Sequence, residues 1–226
     1  MTDKVDFDKY TTNYSELLRE STSFFSVNEA YFAKYKIDLV RENINHDVIR
    51  ILEYGCGIGR NIQYIEAAFP NAEIVGTDIS AASLNIAAAT NPNINFEIES
   101  AGLNIGKFDV IFVAGVFHHI PIRERLSAAA LLADRLQKNG TLFVFEHNPF
   151  NPITRKIVNN CPYDADAILL KPSEFKLIFE PTPLRIKKQS YCLFIPPKFS
   201  QLTLIEKYLN WLPLGGQYWV KVGHVT

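Results

Sequence analysis

Three glycines follow the first apolar run of the sequence and could let a ligand approach the backbone. Gly55, Gly57 and Gly59 alternate with other residues, and glycine permits tight turns because it has no side chain. A helix after the loop would add free N–H groups for a ligand. The dinucleotide fingerprint needs a third small residue one position later, where this chain has Arg60. The pattern therefore argues against a nicotinamide-dependent oxidoreductase or a flavin protein, and does not by itself identify another ligand.

A carboxylate closes the second apolar run of the sequence. Asp78 follows Ile74-Val75-Gly76, at a place from which a carboxylate could accept hydrogen bonds from ribose hydroxyls. Asp and Ser are also favoured helix caps. Asp78-Ile79-Ser80 therefore has two interpretations, a ribose site and a helix cap.

Histidines and a glutamate follow two later apolar runs. His118 and His119 come after one run, and Glu146-His147 after the next. Imidazole has a pKa near neutrality and suits a general base, although either ring nitrogen could simply satisfy a backbone partner. Our hypothesis is that His118, or His147 with Glu146, takes a proton in the reaction, and that His119 is structural.

Apolar runs rich in β-branched residues alternate with helical patterns and must position these side chains. Strands are predicted at 48–52, 74–76, 94–96, 108–114 and 141–145. Helices are predicted at 58–69, 80–89 and 126–136. Such alternation favours an α/β fold with a doubly wound parallel sheet, whose ligand site lies at the carboxyl ends of the strands. Glu53, Asp78, Ala114 and Glu146 all fall there.

The two flanks of this pattern differ from it. Helical spacing before residue 45 places aromatic residues that either cover the cofactor as a lid or join the core: Tyr10, Tyr14, Phe24, Phe25, Tyr31 and Phe32. After residue 148 we expect an irregular stretch rich in Asn and Pro, a short helix at 173–179, and β-strands at 184–195 and 217–222. Between those strands, an amphipathic helix over 202–212 is predicted to pack on the sheet, as are Trp211 and Trp219.

Three segments resemble, in order and spacing, the signature motifs of class I S-adenosylmethionine (SAM)-dependent methyltransferases of the type 11/12 kind. They are Ile51-Leu52-Glu53-Tyr54-Gly55-Cys56-Gly57-Ile58-Gly59, Gly76-Thr77-Asp78-Ile79-Ser80 and Phe108-Asp109-Val110-Ile111-Phe112. The resemblance covers roughly residues 48–147. The segment Glu146-His147-Asn148-Pro149 resembles an uncharacterised subgroup of these enzymes.

The resemblance implies a Rossmann-like, mostly parallel seven-stranded sheet with an antiparallel C-terminal strand. It also implies SAM as cofactor, with the glycine loop at its methionine part, Asp78 at the ribose and Ile79 on one adenine face. Ser100-Ala101 match the place where the family often has Asp-Ala near the adenine. The implied cofactor residues are Glu53, Gly55, Cys56, Gly57, Gly59, Asp78, Ile79, Ser100, Ala101 and Ala114. Cofactor binding also explains Cys56 better than a nucleophilic thiol does.

The implied reaction is methyl transfer, most simply to a hydroxyl of a small-molecule or glycan/lipid-linked acceptor, with a catalytically silent SAM-binding regulatory or scaffold protein as the alternative. The chain of 226 residues is expected to form one domain, with 1–45 as a helical lid and 148–226 as acceptor-side elements. The sequence makes no prediction of the oligomeric state.

Composition excludes several classes of protein. The net charge is −1, so a nucleic-acid partner is not expected, and Arg185, Lys187 and Lys188 are interpreted as protecting a strand edge. No signal peptide or membrane span is visible. The three cysteines lack metal-site spacing, so we expect no metal, reduced thiols and a cytoplasmic location.

Overall fold

The computed structural model describes residues 5, 8, 29–100, 102–196, 199 and 205–225. Its centre is a seven-stranded sheet in the order β3-β2-β1-β4-β5-β7-β6. The strands are β1 Arg50–Tyr54, β2 Glu73–Asp78, β3 Asn95–Ile98, β4 Phe108–Ala114, β5 Leu136–His147, β6 Leu184–Cys192 and β7 Gln217–His224. Pairs from β3 to β5 are parallel, whereas β7 is antiparallel to both β5 and β6. The predicted α/β fold and its antiparallel C-terminal strand are confirmed.

Helices cover both faces of the sheet. They are α1 Glu29–Glu42, α2 Ile62–Ala68, α3 Ala81–Thr90, α4 Arg125–Arg135, α5 Pro152–Asn160, α6 Glu174–Phe179 and α7 Glu206–Leu209. Within the described part of the chain, no helix has the length and apolar composition needed to cross a membrane.

The central strands are apolar on both sides because each side packs against helices. Val144 packs with Leu132 of α4, whereas its neighbour Phe143 lies in a second cluster with Ile37 of α1 and Ile62 of α2. The strand order reverses between β1 and β4, and at such a point a doubly wound sheet opens a crevice beyond its carboxyl ends.

The structure changes one predicted feature of the sheet and agrees with another. Residues 137–140, between the helix predicted at 126–136 and the strand predicted at 141–145, form an excursion within β5, because pairing shifts from Phe108↔Leu136 to Val110↔Thr141. The edge strand β6 exposes Arg185, Lys187 and Lys188, which is the position expected for charges that protect a strand edge.

Part of the stretch expected to be irregular is helix α5. Asn151 is its N-cap, and the side-chain oxygen accepts the N–H groups of Ile153 and Thr154 at 2.9 and 3.1 Å. Pro152 occupies the first turn, where its missing N–H is harmless. The pair Asn151-Pro152 therefore begins a helix. The preference of Asn and Pro for turns did not distinguish a helix start from a loop.

The amphipathic helix predicted over 202–212 is wrong for the described residues 205–212. Only the single turn α7 forms, and Trp211 is 71% exposed, whereas Trp219 is buried as predicted. Glu206 is buried and accepts the Phe194 and Ile195 N–H groups at 2.9 and 2.7 Å. A polar anchor, rather than an apolar stripe, therefore holds this turn to the fold.

We expect the buried hydroxyl of Tyr218 to stabilise the fold. Tyr218 is fully buried in β7, and its hydroxyl donates to the Leu170 carbonyl at 2.9 Å. Tyr218→Phe leaves that carbonyl unpaired and should lower the free energy of unfolding by about 1–3 kcal/mol. Urea denaturation measures this difference. The control is Tyr208→Phe, which changes a side chain that is 67% exposed, and an equal loss in both variants would contradict the assignment.

Candidate active site

A cavity of 510 Å³ opens at the carboxyl ends of the central strands. Most of the residues predicted for the cofactor line it: Gly55, Cys56, Gly57, Asp78, Ile79, Ser100 and Ala114. Glu53 and Gly59 do not line it, and Ala101 lies outside the described residues. The volume is within the usual range of about 300–1,000 Å³ for small-molecule sites.

The glycine loop forms one wall of the cavity and needs glycine for two different reasons. Gly57 has φ +54°, and a Cβ built there meets no atom of the described residues within 4 Å, so these residues leave space for a ligand beside it. At Gly55 a Cβ would lie 2.4 Å from Cγ2 of Val116. Ile58, predicted on the following helix, lines the cavity instead, because α2 begins only at Ile62.

Asp78 ties this loop to the end of β2. Its carboxylate accepts the Gly57 N–H at 2.8 Å and the Ser80 N–H at 2.9 Å. Burial raises the pKa of Asp78, and these backbone hydrogen bonds partly offset the rise. The cap of α3 is Ser80, whose hydroxyl accepts the Ser83 N–H at 3.0 Å. Ser80, and not the Asp78 side chain, therefore caps the helix. Asp78 lines the cavity, and its carboxylate has further lone pairs that could accept hydrogen bonds from a ligand.

Glu53 lies behind the loop with one unsatisfied oxygen. Oε1 accepts from the Asn61 amide at 2.6 Å, whereas Oε2 is buried and has no hydrogen-bond partner among the described residues. Burial raises the pKa of Glu53 to about 8. Lys36 of α1 lines the cavity, and burial with nearby Arg60 lowers its pKa to about 8. A cationic ligand group near this loop would satisfy the unpaired oxygen.

Part of the cavity wall is apolar. Ile79 lines the cavity and is 53% exposed, so its side chain offers an apolar surface to a ligand. Cys56 is buried, and burial raises the pKa of its thiol. The thiol is therefore held protonated, as its interpretation as a wall residue expects.

His118 forms a buried pair with Glu146 beneath the cavity. His118 is 2% exposed, and its Nδ1 lies 2.5 Å from Oε2 of Glu146, whose Oε1 accepts the Val116 and Phe117 N–H groups at 3.1 and 2.7 Å. Burial alone would lower the pKa of His118, but the Glu146 and Asp164 carboxylates together outweigh burial and raise the pKa to about 10. His118 does not line the cavity, so this geometry does not favour it as the general base.

His147 lies beside this pair at the end of β5. Its ring centroid is 5.1 Å from that of His118, and burial together with His118 lowers its pKa to about 4. His147 is half-buried and does not line the cavity either. The three predicted catalytic residues, His118, Glu146 and His147, are thus brought together, one layer away from the cavity wall.

His119 is the histidine that lines the cavity, together with Tyr163. Its Nδ1 lies 3.0 Å from Oδ1 of Asp166, and its Nε2 lies 3.4 Å from Oδ1 of Asp164. Sequence reasoning assigned His119 a structural role and missed both aspartates. Asp164 and Asp166 are more than forty positions from His118 and His119, so no spacing in the sequence could reveal that these residues meet.

Segment 161–168, which carries these aspartates, is fixed against the end of β4. The Ile168 N–H donates to the His118 carbonyl at 2.8 Å. The Arg125 guanidinium donates to the Ile168 carbonyl at 2.8 Å and to the Ile120 carbonyl at 3.0 Å. These bonds hold a segment with little regular structure against the residues that follow β4.

We predict that Glu53 makes stability depend on pH. Its pKa is raised from 4.5 to about 8 in the folded state, so the folded state holds a proton that the unfolded state has lost. The free energy of unfolding should therefore fall as pH rises between about 5 and 8. Glu53→Gln should reduce this slope in urea denaturation without ligand, whereas the exposed Glu66→Gln should not. Parallel pH profiles for Glu53→Gln and the unchanged protein would refute the prediction.

Comparison with known proteins supports the assignment of the central motifs. Residues 52–142 match the family described as "Methyltransferase domain". An uncharacterized protein of Synechococcus is 35% identical over 105 residues, which are 42% of this chain and 25% of that protein. The trans-aconitate 2-methyltransferase of Deinococcus radiodurans is 32% identical over 96 residues, 42% of this chain and 36% of that enzyme. The chain thus spans about a quarter to a third of these relatives' lengths.

The fold matches solved structures over almost the whole chain. A TehB-like SAM-dependent methyltransferase from Corynebacterium glutamicum superimposes with a TM-score of 0.65 at 16% identity, covering 96% of this chain and 99% of that chain. The sequence match extends over the glycine loop, Asp78 and β4, and the fold continues through the antiparallel β7. Residues 52–142 thus match the methyltransferase-domain family, and almost the whole chain shares the fold of a SAM-dependent methyltransferase structure.

Proposed function

We propose that this protein transfers a methyl group from SAM to a hydroxyl of a small-molecule or glycan/lipid-linked acceptor. The observation that carries the proposal is the open space beside Gly57, next to the Asp78 carboxylate, in a cavity that also reaches His119 and Tyr163. One end of the cavity has the chemistry of a nucleoside site. The other end has groups that suit a polar acceptor.

The residues at the first end fit SAM. Asp78 would accept ribose hydroxyls through its remaining lone pairs, and the exposed Ile79 would cover one face of the adenine. The unsatisfied Oε2 of Glu53 lies behind the loop expected at the methionine part, where the cofactor carries its ammonium group. Ser100 lines the same end and offers a hydroxyl in place of the family's usual carboxylate.

His119 is the group that we propose accepts the proton of the hydroxyl. Bound SAM supplies an electrophilic methyl group, and the protein must align the acceptor oxygen with it and exclude water. Asp166 orients the imidazole through Nδ1, as a carboxylate does for the base in other active sites. His119 replaces His118, or His147 with Glu146, as our proposed general base. Those three residues do not line the cavity and would support its wall from behind.

The domain arrangement stays as proposed from the sequence, with 1–226 as a single domain, 1–45 as lid and 148–226 as acceptor side. Phe32 and Lys36 of α1 line the cavity. The Val5 N–H donates to Asp166 at 3.0 Å, and Ser80 donates to Asp8 at 2.5 Å. The aromatic residues Tyr10, Tyr14, Phe24 and Phe25 lie outside the described residues. A cytoplasmic location and the lack of a nucleic-acid partner also remain predictions.

We expect Asp78→Ala to weaken binding of SAM and S-adenosylhomocysteine roughly tenfold or more, about 1.4 kcal/mol. Calorimetric titration measures this. Because Asp78 also holds Gly57, the ribose contact needs a separate readout, the affinity of a 2′,3′-dideoxy analogue of S-adenosylhomocysteine. The unchanged protein should bind the analogue more weakly than S-adenosylhomocysteine, whereas Asp78→Ala should bind the two compounds with similar affinity. If both proteins discriminate equally, Asp78 supports only the loop.

The acceptor is tested with radiolabelled methyl SAM and a panel of phenols, sugars, polyprenyl-linked sugars, amines and carboxylic acids. We expect label in a methyl ether, and His119→Ala should lower kcat by roughly 10²- to 10⁴-fold, because general base catalysis contributes about that much. The matched control is His46→Ala, since His46 is exposed and does not line the cavity. Binding of SAM with no labelled product across the panel would instead favour a catalytically silent SAM-binding protein.

A further inference from the structure

Three side chains from separate parts of the chain converge beside the acceptor end of the cavity. His118, His147 and Asp164 each offer one ligand atom, and these atoms lie within 4.8 Å of one another. Nε2 of His118 lies 3.5 Å from Oδ1 of Asp164. Ligand atoms of a tetrahedral Zn²⁺ lie roughly 3.4 Å apart, given bonds of about 2.0–2.2 Å. The ligand atom of His147 lies within 4.8 Å of both.

Glu146 gives His118 the arrangement of a metal-bound imidazole. Metal-binding histidines usually donate their second ring N–H to a carboxylate, which fixes the ring and leaves the other nitrogen for the ion. Nδ1 of His118 lies 2.5 Å from Glu146, so Nε2 points toward Asp164. Glu146 is itself held by the Val116 and Phe117 N–H groups. The ring is therefore fixed before any ion arrives.

The charge of this group also suits a cation. Glu146, Asp164 and Asp166 are 1%, 11% and 9% exposed at their side chains, and each lies within 3.5 Å of the imidazole of His118 or His119. Buried carboxylates need compensating positive charge. A divalent ion would provide it at the centre of the group.

We propose that His118, His147 and Asp164 form a binding site for a divalent transition metal of the Zn²⁺ class. Two imidazoles and one carboxylate leave coordination positions open, which is the pattern of catalytic rather than structural metal sites. Asp164 is 3.4 Å from His119, which lines the cavity. None of the three proposed ligands lines the cavity, so the proposal concerns metal binding behind the cavity wall and does not depend on the proposed methyl transfer.

The site is held by the same contacts that fix the cavity wall. His118 follows β4, His147 ends β5, and Asp164 ends the turn Pro162–Asp164. The bond from Ile168 to the His118 carbonyl joins the last of these to the first. Ligands that are positioned by the fold in this way lose little entropy on binding an ion.

The test is a Co²⁺ titration of the chelator-treated full chain, followed by its visible d–d absorption. We expect one saturable site that Zn²⁺ displaces. His147→Ala and Asp164→Asn should each weaken Co²⁺ binding by at least about tenfold, and Glu146→Gln should weaken it by roughly 10- to 100-fold, as loss of such a supporting carboxylate usually does. The control His46→Ala removes an exposed histidine and should change nothing.

Circular dichroism and S-adenosylhomocysteine titration on the same samples separate the possible failures. Absence of a Co²⁺ band in folded protein that binds S-adenosylhomocysteine overturns the metal site and leaves the methyltransferase proposal in place. A band that persists in His147→Ala and Asp164→Asn also overturns it. If His147→Ala unfolds, the Co²⁺ titrations of Glu146→Gln and Asp164→Asn test the site instead, because these two substitutions keep the side-chain volume.

Discussion

The buried Glu146 carboxylate is the interaction on which the histidine side of the site depends. It accepts two N–H groups of the segment after β4 and contacts His118, although Glu146 itself belongs to β5. Two parallel strands are thereby joined beyond the last bond of their ladder. A buried carboxylate is costly unless it is paired and hydrogen-bonded, so the segment 115–118 has little freedom to move away from it.

Asp78 has the corresponding role in the cofactor half. Its carboxylate joins the end of β2 to the glycine loop after β1, and the Thr77 carbonyl accepts two further N–H groups from that loop. The loop is therefore shaped before a ligand binds. Both halves use one carboxylate to fix an irregular segment at a strand end, and the strand order places the two halves on either side of the same crevice.

Polar anchors also explain where sequence patterns misled. Periodicity predicted a long amphipathic helix near the C-terminus, but the buried Glu206 holds a single turn there, and Trp211 points to solvent. Asn and Pro predicted loops after β5, yet Asn151-Pro152 begins helix α5. Both residues suit turns and helix starts alike, so the choice depended on what the next residues pack against.

The site was predictable to the extent that its residues are local in sequence. The loop from Gly55 to Gly59 and the nearby Asp78 could be recognised because the strand that precedes each of them fixes its position at the rim. Asp164 and Asp166 could not, because they reach His118 and His119 through a fold that brings the end of β4 and segment 161–168 together. His118 and His119 are adjacent, and only packing decides which of them faces the cavity.

By itself, therefore, the sequence determined the alternation of strands and helices, the doubly wound class of the sheet and the cofactor rim. Each of these follows from short-range periodicity and from backbone conformations that only a few residue types adopt. The tertiary structure alone decided the acceptor side: which histidine is exposed, which carboxylates are buried with it, and which groups could hold an ion. Those outcomes depend on long-range packing and on the burial of charge, neither of which has a period or a spacing along the chain.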